Sequence, residues 1–421
     1  MLWARLDSAA NLFAGSAGLL QAAAELAGLL GFTLFALSLV LAARWQFIEN
    51  TLDGLNKAFI IHHLVGTLTL LVLLAHPILL AARFLPAAPY QAAQTFIPNL
   101  HYPGPALGIL ALSTLMILLA LTFFVALKYQ VWLKTHKFLG VAFILGGLHI
   151  LLTPNGLTAD LLLYAYLIGI YALGSTAYLY RTVIPGLSTR RFKYQIAAAR
   201  QLPGGVAEFE FMPLGRPMRY VAGQFVFVSL RGPGLPREWH PFSISSGPLD
   251  GRFRLTIKGL GPYTKFLTVA GPQLIGTTVM VEGSYGRFNF AKFRNPHQIW
   301  VAGGIGITPF LSLAQSLAQE PAYGIDLYYS VKTEAELIDY EELKWAADRS
   351  VAVRQFRLIP YIASQQPGFL TAQYINETSG GLAGKDILIC GPPPMMRSLR
   401  QQFLSLGAKP QQIHSEEFSM S

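Results

Sequence analysis

Five histidines lie in two strongly apolar segments of the chain. His62, His63 and His76 lie in the first segment, and His136 and His149 lie in the second. Each segment is long enough to cross a lipid bilayer as a helix, where an ionisable side chain usually serves a function. Because neutral imidazole is a common ligand of transition metals, these histidines are candidate metal ligands.

The spacing of the histidines predicts how they pair. His62 and His76 are fourteen residues apart, which is about 21 Å along a helix and about 40° around its axis. His136 and His149 are thirteen residues apart, about 20 Å along the axis but about 140° around it, so we expect a bend or local unwinding at Gly146-Gly147. A bis-histidine haem takes one imidazole from each side. We predict that His62 and His136 bind one haem and that His76 and His149 bind a second.

Two alternatives to this pairing stay open. His63 is thirteen residues from His76, the same interval that separates His136 from His149, so its role is ambiguous. An isolated intramembrane histidine can also be a structural residue that bonds a neighbouring carbonyl. Two pairs with nearly equal separations favour the metal-binding interpretation.

The composition indicates an integral membrane protein with a soluble part. The chain has 421 residues, a mean hydropathy of +0.42 and 13% charged residues, and nearly all its long apolar runs precede residue 182. The single cysteine, Cys390, excludes a disulfide framework, a Cys-x-x-Cys-His haem attachment and a cysteine-ligated iron–sulfur cluster. Any haem must therefore be bound non-covalently.

Five segments have the length and hydropathy of membrane-spanning helices: residues 26–43, 58–82, 105–127, 134–153 and 158–180. The loops on one side carry most of the basic residues, namely Arg44, Lys57, Lys128, Lys134, Arg181, Arg190, Arg191 and Lys193. The positive-inside rule makes that side cytoplasmic, so His62 and His136 form an inner pair, and His76 and His149 form an outer pair. We interpret the net charge of +10 as topology and not as nucleic acid binding. We expect a multi-pass protein of the cell inner membrane.

Residues 6–24 allow three interpretations. They are rich in Ala, Gly and Leu and can form a signal-like segment, an amphipathic surface helix or a further span. They lack a clear cleavage site, so we keep them as part of the chain.

The composition changes at Pro185-Gly186, where the apolar segments end. Strand-like runs such as 220–230 and Phe253–Lys258 follow and predict a small antiparallel β-barrel. From about Asn295, strands, glycine turns and helices alternate, which predicts a parallel α/β domain with strands at 298–302, 326–331, 351–358 and Asp386–Cys390. The predicted architecture is an α-helical transmembrane domain (1–185), a barrel domain (188–294) and an α/β domain (295–421).

Two segments of the barrel domain resemble a known flavin site. The run His240-Pro241-Phe242-Ser243-Ile244-Ser245-Ser246, with the preceding Tyr220-Val221-Ala222-Gly223-Gln224-Phe225, resembles the flavin-binding signature of the ferredoxin-NADP reductase superfamily. The resemblance implies that Ser243 lies near flavin N5, the nitrogen that accepts hydride, and tunes it through a hydrogen bond. The other FAD-binding residues of this segment are His240, Pro241 and Phe242.

The run Lys258-Gly259-Leu260-Gly261-Pro262-Tyr263-Thr264 is similar to the second flavin segment of that superfamily. The resemblance implies that Gly261, Tyr263 and Thr264 approach the FAD pyrophosphate, where backbone N–H groups supply donors. Taken alone, this run is equally well explained as a tight surface turn.

Two glycine segments of the α/β domain resemble the pyridine-nucleotide site of the same superfamily. Gly303-Gly304-Ile305-Gly306-Ile307-Thr308-Pro309 follows a predicted strand and opens a helix, the context in which a glycine turn cradles phosphate. Cys390-Gly391-Pro392-Pro393-Pro394-Met395 follows the last predicted strand, and the resemblance implies that Cys390 faces the nicotinamide. The nucleotide-binding residues implied are Gly303, Gly304, Gly306, Thr308, Pro309, Cys390, Gly391 and Pro392. Alone, Cys390 would be interpreted as a buried strand-end residue.

Three further residues complete the implied flavin and nucleotide sites. Ser330 and Lys332 resemble positions that contact an adenosine 2′-phosphate, and a hydroxyl with a cation suits a dianion, which favours NADPH over NADH. Glu416-Glu417-Phe418 resembles a closing acidic-aromatic motif, in which Phe418 covers the flavin until nicotinamide displaces it. Three residues, Ser419 to Ser421, follow Phe418, which departs from the family pattern.

The chain as a whole, over residues 26–418, resembles the ferric reductase/NADPH oxidase superfamily, in particular its short prokaryotic members. The resemblance implies FAD, NADPH and two b-type haems, with electrons passing from NADPH through FAD and the inner and outer haems to dioxygen, giving superoxide. Reduction of ferric chelates, or service as an electron-transfer module for a partner protein or quinone, stays open. No obligatory protein partner is evident. Family members usually have six transmembrane helices, of which five are clear here.

Overall fold

The computed structural model of the protein describes residues 15–52, 54–127, 129–153, 161–182, 191–248, 251–293, 295–317, 323–349, 356–366 and 368–416. The chain divides into two compact units, Met1–Ser188 and Thr189–Ser421, which we call unit 1 and unit 2. In the described residues, unit 1 is helical and unit 2 carries the β-strands.

Unit 1 contains the apolar helices. Their bounds are α1 Ser16–Ala42, α2 Gln46–Thr51, α3 Leu55–Ala82, α4 Pro89–Gln94, α5 Pro103–Phe124, α6 Tyr129–Lys137, α7 Leu139–Leu152 and α8 Leu161–Thr182. By length and composition, five stretches of the described chain can cross a membrane: Ser16–Ala42, Lys57–Ala82, Pro103–Phe124, Val131–Leu152 and Leu161–Thr182. These five agree with the predicted spans to within a few residues, apart from the earlier start of the first.

The start of α1 bears on the interpretation of residues 6–24. The helix runs unbroken from Ser16 to Ala42, so the second half of that segment is the beginning of the first span. Residues 1–14 lie outside the described part of the chain. A separate sixth helix is therefore not formed by residues 16–24.

The local unwinding that the spacing allowed at Gly146-Gly147 is not present. The glycine pair lies inside the continuous helix α7, and the helix is instead interrupted at Phe138, between α6 and α7. A Cβ atom at Gly147 would lie 2.1 Å from Cε2 of Tyr171, so this glycine is needed for contact between α7 and α8.

Rings packed on glycines hold the centre of unit 1 together. Phe32 of α1 stacks on Phe143 of α7 with ring centroids 4.7 Å apart, and Phe143 is fully buried. A Cβ at Gly174 of α8 would lie 2.5 Å from this ring, and a Cβ at Gly140 would lie 2.2 Å from the ring of Tyr178. Glycine therefore lets the helix backbones approach closely, as small residues do in membrane helix bundles.

The first sheet of unit 2 is antiparallel. Its strands are β1 Arg191–Leu202, β2 Val206–Pro213, β3 Phe225–Arg231, β4 His240–Ser243, β5 Phe253–Lys258 and β6 Thr278–Tyr285, in the order β4-β3-β6-β1-β2-β5, and α9 spans Pro262–Ala270. The two outer strands approach each other, because Ile244, directly after β4, forms an antiparallel bridge with Leu255 of β5. The sheet thus curls toward the predicted barrel around a core of buried aliphatic and aromatic side chains.

The second sheet of unit 2 is parallel, as predicted. Its elements are β7 His297–Gly303, α10 Thr308–Leu317, β8 Gly324–Val331, α11 Tyr340–Arg349, β9 Phe356–Ile362, α12 Ala372–Thr378, β10 Asp386–Cys390, α13 Pro393–Ser405 and β11 Ile413–Glu416. The strand order is β11-β10-β7-β8-β9. Successive strands are therefore added on one side of β7 as far as β9 and on its other side from β10 onward, with the switch point between β7 and β10. Ligands of such sheets bind beyond the carboxyl ends of the strands at this switch point. The predicted strand 351–358 begins outside the described residues, and its described part continues to Ile362.

Candidate functional site

The structure brings the four predicted histidine ligands together in two pairs. The ring centroids of His62 and His136 are 6.2 Å apart, and those of His76 and His149 are 6.4 Å apart. A metal–imidazole bond is about 2.0 Å long and a ring nitrogen lies about 1.1 Å from the ring centre, so two imidazoles on opposite sides of one metal have centroids about 6.2 Å apart. Both pairs therefore have the separation that a shared metal requires.

Main-chain carbonyls fix the orientation of three of these rings. Nδ1 of His76 lies 2.7 Å from the carbonyl oxygen of Ala24, and Nδ1 of His149 lies 2.8 Å from that of Gly104. Nδ1 of His62 lies 2.9 Å from the carbonyl oxygen of the buried Ser38. Because a carbonyl only accepts, each Nδ1 donates its proton, which leaves Nε2 unprotonated and able to bind a metal.

Glycines make room for the two outer rings. A Cβ atom at Gly28 would lie 2.9 Å from Nδ1 of His76, and one at Gly108 would lie 2.8 Å from Nδ1 of His149. Each glycine lies one helical turn after the residue whose carbonyl accepts the bond, because Gly28 follows Ala24 and Gly108 follows Gly104 by four residues. The same arrangement, a carbonyl acceptor followed one turn later by a glycine, thus occurs on both α1 and α5.

His136 and His63 differ from the other three. In the described part of the chain, the buried Nδ1 of His136 has no hydrogen-bond partner, and its ring stacks on Trp132 with centroids 5.2 Å apart. His63 is exposed, and its ring centroid lies 5.8 Å from that of His62 on the same helix. The pairing across helices therefore uses His62, which resolves the ambiguity over His63.

The donor set fits haem better than a bare metal ion. The described residues contain no group of three or more His, Cys, Asp and Glu side chains that could hold a metal. Each pair supplies two opposed imidazoles, and a haem macrocycle supplies the other four ligands of its iron. The apolar helices around the pairs suit a flat apolar macrocycle.

The predicted flavin segment lies on β4, against β3. Ser243 is buried and pairs in register with Phe225, which ends the second part of the predicted signature. His240 stacks on Tyr263 with ring centroids 4.0 Å apart, and its Nε2 lies 2.8 Å from the carboxylate of Glu238. Burial, and to a lesser degree the charge of Glu238, raise the pKa of the Tyr263 phenol, so Tyr263 stays neutral at physiological pH. Sequence reasoning identified His240 and Tyr263 but missed their mutual stacking and the part of Glu238.

The second flavin segment forms the start of α9. The hydroxyl oxygen of Thr264 accepts hydrogen bonds from the backbone N–H groups of Leu260, at 3.0 Å, and Gly261, at 2.9 Å. The hydroxyl therefore shapes the turn by binding the turn's own backbone. The phosphate contact implied for Gly261 and Thr264 stays a prediction.

The two glycine segments of the nucleotide site meet at the switch point between β7 and β10. A Cβ at Gly306 would lie 2.3 Å from the carbonyl oxygen of Cys390, and one at Gly391 would lie 3.1 Å from Cα of Gly303. Gly304 has a φ of +52°, a conformation that glycine adopts without strain. Thr308 and Pro309 begin α10 directly after this turn and are buried. The glycines thus allow two strand ends to touch where a dinucleotide would bind.

Cys390 lies at the carboxyl end of β10, directly before Gly391 and Pro392. It is fully buried and pairs in register with Glu416 of β11. Burial, reinforced by the negative charge of Glu416, raises the pKa of the thiol well above its usual value, so Cys390 is protonated at neutral pH. Glu417 and Phe418 lie outside the described residues, so the role predicted for Phe418 stays a prediction.

Comparison with known families agrees with this order of sites. Residues 27–147 match the family "Ferric reductase like transmembrane component", residues 191–289 match "FAD-binding domain", and residues 300–401 match "Oxidoreductase NAD-binding domain". The chain belongs to the ferric reductase/NADPH oxidase superfamily. Its three matched domains are those of an integral membrane oxidoreductase with FAD-binding and pyridine-nucleotide-binding domains.

Several characterised proteins are similar to parts of this superfamily member. It is 28% identical to the toluate 1,2-dioxygenase electron transfer component of Pseudomonas putida over 48% of the chain and 60% of the relative. It is 32% identical to NADH-cytochrome b5 reductase 1 of Aspergillus terreus, over 46% of the chain and 68% of the relative. It is also 32% identical to ferric reduction oxidase 7 of Arabidopsis thaliana, over 38% of the chain and 23% of the relative. The chain thus spans less than two thirds of the length of two of these three relatives.

A solved structure extends the likeness in fold alone. The flavohemoglobin of Malassezia yamatoensis, solved with FAD and haem, superposes with a TM-score of 0.53 at 18% identity, covering 96% of this chain and 98% of that one. At this level of identity, the likeness concerns architecture and not function.

The predicted 2′-phosphate site of this oxidoreductase carries mixed charge. Ser330 ends β8 beside Gly303 of β7, and Lys332 is exposed directly after the strand. The backbone N–H of Lys332 lies 3.4 Å from a carboxylate oxygen of Glu336, and Glu334 begins the same short turn. Sequence reasoning counted the hydroxyl and the cation but missed these two carboxylates, which oppose binding of a phosphate dianion.

A partly buried charge network, also missed from sequence, joins the antiparallel sheet of unit 2 to α11. Arg254 of β5 makes a bidentate contact with Glu342 of α11, at 2.7 and 3.1 Å, and lies 3.2 Å from Glu208 of β2. Arg200 of β1 lies 2.9 Å from Glu208 and 2.5 Å from Asp339. These contacts fix the barrel-like sheet against the first turn of α11.

Proposed function

We propose that this oxidoreductase is a transmembrane NADPH oxidase, which passes electrons from NADPH through FAD and two bis-histidine b-type haems to dioxygen and releases superoxide on the opposite side of the membrane. The observation that carries the proposal is the presence of two histidine pairs, each with the separation expected for one shared iron. One NADPH supplies two electrons as hydride, so two molecules of dioxygen become two of superoxide, with NADP⁺ and one proton as the other products.

The bound groups supply the electron chemistry, since a flavin accepts hydride and releases single electrons and a haem carries one electron at a time. The protein's own part on the nucleotide side is binding and orientation. Ser243, buried at the end of β4, offers a hydroxyl to the flavin ring. The closely packed turns at Gly306 and Cys390 lie at the strand ends, where a nicotinamide can lie close to that ring.

On the membrane side, the protein supplies imidazoles of fixed orientation. The carbonyls of Ser38, Ala24 and Gly104 hold the Nδ1 protons of three rings and leave Nε2 free as a ligand. If both imidazoles of a pair bind the iron of one haem, an acceptor would receive its electron without binding the metal. Dioxygen is small and apolar and can reach the outer pair through the membrane.

The orientation follows from the basic residues. Lys57 and Lys134 lie near the inner pair, and Arg181 ends α8. The positive-inside rule assigns this side of a cell inner membrane to the cytoplasm, where NADPH is available to unit 2. Ser330 and Lys332 support NADPH as the donor, against the opposing charges of Glu334 and Glu336.

Two other acceptors have specific support. The similarity to ferric reduction oxidase 7 favours a ferric chelate, which would receive the same single electron. The similarity to the toluate 1,2-dioxygenase electron transfer component favours a partner protein as the acceptor. The outer loop between α3 and α5 is the part of unit 1 that would select among them.

The deciding experiment is NADPH-driven reduction of cytochrome c by purified protein loaded with FAD and haem, in air, with and without superoxide dismutase. We expect dismutase to abolish most of the signal, because superoxide is then the species that reduces cytochrome c. A signal that persists would contradict the oxidase proposal and favour direct transfer to an added acceptor.

A further inference from the structure

The segment 332–338, between β8 and α11, connects the predicted 2′-phosphate site to the charge network of unit 2. We call it the β8–α11 segment. Its first residue is Lys332, whose carbonyl accepts a hydrogen bond from the backbone N–H of Ser364 at 3.0 Å. Its last residue directly precedes Asp339, after which α11 begins. Because only six residues separate Lys332 from Asp339, the position of one end of the segment constrains the other.

Hydrogen bonds make the β8–α11 segment a compact turn. Residues Glu334–Glu336 form one turn of 3₁₀ helix, and a carboxylate oxygen of Glu336 lies 3.4 Å from the backbone N–H of Lys332. The phenol of Tyr329, fully buried in β8, accepts a hydrogen bond from the backbone N–H of Ile338 at 3.0 Å. The same phenol donates to the carbonyl oxygen of Glu336 at 3.3 Å. The segment is therefore held as one piece from Lys332 to Ile338.

Two arginines of the antiparallel sheet bind the chain at the far end of this segment. Arg200 of β1 lies 2.5 Å from Oδ1 of Asp339, and Arg254 of β5 makes its bidentate contact with Glu342. Glu208 of β2 lies between the two arginines, 2.9 Å from Arg200 and 3.2 Å from Arg254. The sheet thus presents two cations whose positions are set by a shared carboxylate, and the carboxylates of Asp339 and Glu342 bind one cation each.

The contact between Asp339 and Arg200 fixes the end of the segment. Asp339 has a φ of +49°, a left-handed conformation that aspartate adopts more readily than most residues. Its side chain is 5% exposed, and its Oδ2 atom is buried without a hydrogen-bond partner in the part of the chain that the structure describes. A buried carboxylate with one unpartnered oxygen depends on the donor to its other oxygen. Arg200 is that donor.

The β8–α11 segment also lies beside the glycine turn of the nucleotide site. One small cavity is lined jointly by Gly304 of that turn, by Glu336 of the segment and by Gly204 of the turn between β1 and β2. A Cβ atom at Gly204 would lie 3.9 Å from Cγ of Glu336. The antiparallel sheet, the segment and the glycine turn therefore meet at one place in unit 2.

We propose that Arg200 and Asp339 are positioning residues for the pyridine nucleotide, which hold the β8–α11 segment so that the ammonium group of Lys332 meets the 2′-phosphate of NADPH. The inference rests on the proposed function, because it takes NADPH as the donor. Both residues act through Lys332. The antiparallel sheet, which carries the predicted flavin segments, thereby takes part in selecting the nucleotide.

Anaerobic stopped-flow reduction of the bound FAD at increasing NADPH concentration tests this role in the purified full-length protein. The measurement gives an apparent Kd and a limiting rate, and neither requires a particular final acceptor. Arg200→Gln and Asp339→Asn should each raise the apparent Kd for NADPH about three- to tenfold, because the segment then spends less time in the binding conformation. The limiting rate and the Kd for NADH, which lacks the 2′-phosphate, should stay at the wild-type values.

A Lys332→Ala background separates positioning from a general loss of structure. In that background, Arg200→Gln should cause no further increase in the Kd for NADPH, because the cation that Arg200 positions is absent. A general loss of structure would weaken binding in both backgrounds. Arg252→Gln is the matched control, since it removes the exposed contact of β5 with Glu210 and should keep the wild-type Kd.

Three outcomes would overturn the positioning role while leaving the proposed function intact, provided that Lys332→Ala itself weakens NADPH binding. These are an unchanged Kd for NADPH in both Arg200→Gln and Asp339→Asn, equal increases in the Kd for NADPH and NADH, or a full effect of Arg200→Gln in the Lys332→Ala background. If Lys332→Ala binds NADPH as tightly as the wild-type protein, the choice of NADPH in the proposed function is contradicted, and the positioning role with it.

Discussion

Units 1 and 2 position their functional side chains by different means. In unit 1, rings are held by main-chain carbonyls and by glycines that leave room for them, as at His76 with Ala24 and Gly28. In unit 2, charged pairs such as Arg254 with Glu342 hold the antiparallel sheet against α11, and strand ends place the turns. A carboxylate is costly inside a membrane, whereas a helix carries a carbonyl at every residue. The environment thus decides which group orients a ligand.

The largest expected effect comes from removing a ligand from unit 1. His136→Ala or His149→Ala should each abolish binding at one pair, because a single axial imidazole and an apolar cavity hold a haem poorly. The ratio of haem to protein should fall by half, and electron output should fall to background. The haem content is measured from the absorbance of the bound haem and from that of its pyridine haemochrome. Full haem content in either variant would contradict the pairing.

The next effect concerns the contact between the two turns of unit 2. Gly306→Val should slow flavin reduction by NADPH strongly, by about tenfold or more, because a misplaced nicotinamide loses the orientation that the rate depends on. The Cβ atom alone would lie 2.3 Å from the carbonyl oxygen of Cys390. Stopped-flow absorbance of the flavin under anaerobic conditions measures the rate. Gly215→Ala, where a Cβ meets no atom within 4 Å, is the control and should retain the wild-type rate.

A comparison of two ion pairs sharpens the role of charge in unit 2. Arg254→Gln should lower the free energy of unfolding by about 1–3 kcal/mol, since two carboxylates lose their shared partner in a half-buried site. Arg252→Gln, two residues earlier, removes an exposed contact of 3.2 Å with Glu210 and should cost no more than about 0.5 kcal/mol. Denaturant unfolding followed by flavin fluorescence measures both. Equal losses of unfolding free energy in the two variants would contradict the claim that the Arg254 network holds the antiparallel sheet against α11.

A smaller effect tests the donor. Lys332→Ala should raise the KM for NADPH by about tenfold, the value of one charge-assisted hydrogen bond, and leave the KM for NADH unchanged. Glu336→Gln should act in the opposite direction on NADPH, because it removes a negative charge next to the backbone of Lys332. Steady-state kinetics with NADPH and with NADH measure the two KM values. A change in the KM for NADH alone would favour a ribose contact and count against NADPH as the preferred donor.

The smallest expected effect is that the thiol of Cys390 does not react with an alkylating reagent. Burial raises the pKa of Cys390, so its thiol stays protonated and unreactive at pH 8. We expect iodoacetamide to modify the folded protein far more slowly than the unfolded one, as mass spectrometry would show. Rapid modification of the folded protein would indicate that the strand end at β10 is open.

The sequence predicted the elements better than the contacts. The histidine intervals indicated the pairing across helices. Strand-like runs indicated the antiparallel sheet, and the repeated succession of strand, glycine turn and helix indicated the parallel sheet. The interruption at Phe138 was not predictable, because no glycine or proline marks it and the flanking residues suit a continuous helix. The acceptors at Ala24 and Gly104 were equally hidden, since every residue has a carbonyl and only the packed structure shows which one meets a ring. Glu336 was not predicted because it lies four residues beyond Lys332, outside the pair of residues that resembles a 2′-phosphate site.

The interruption at Phe138 also separates the two ligands of one polypeptide stretch into independent parts. His136 belongs to the nine-residue helix α6, and His149 belongs to α7. An insertion or deletion of one residue at this junction would rotate His136 by about 100° about its helix axis and leave His149 in place. The relative orientation of the two ligands of this stretch therefore depends on the number of residues at the junction.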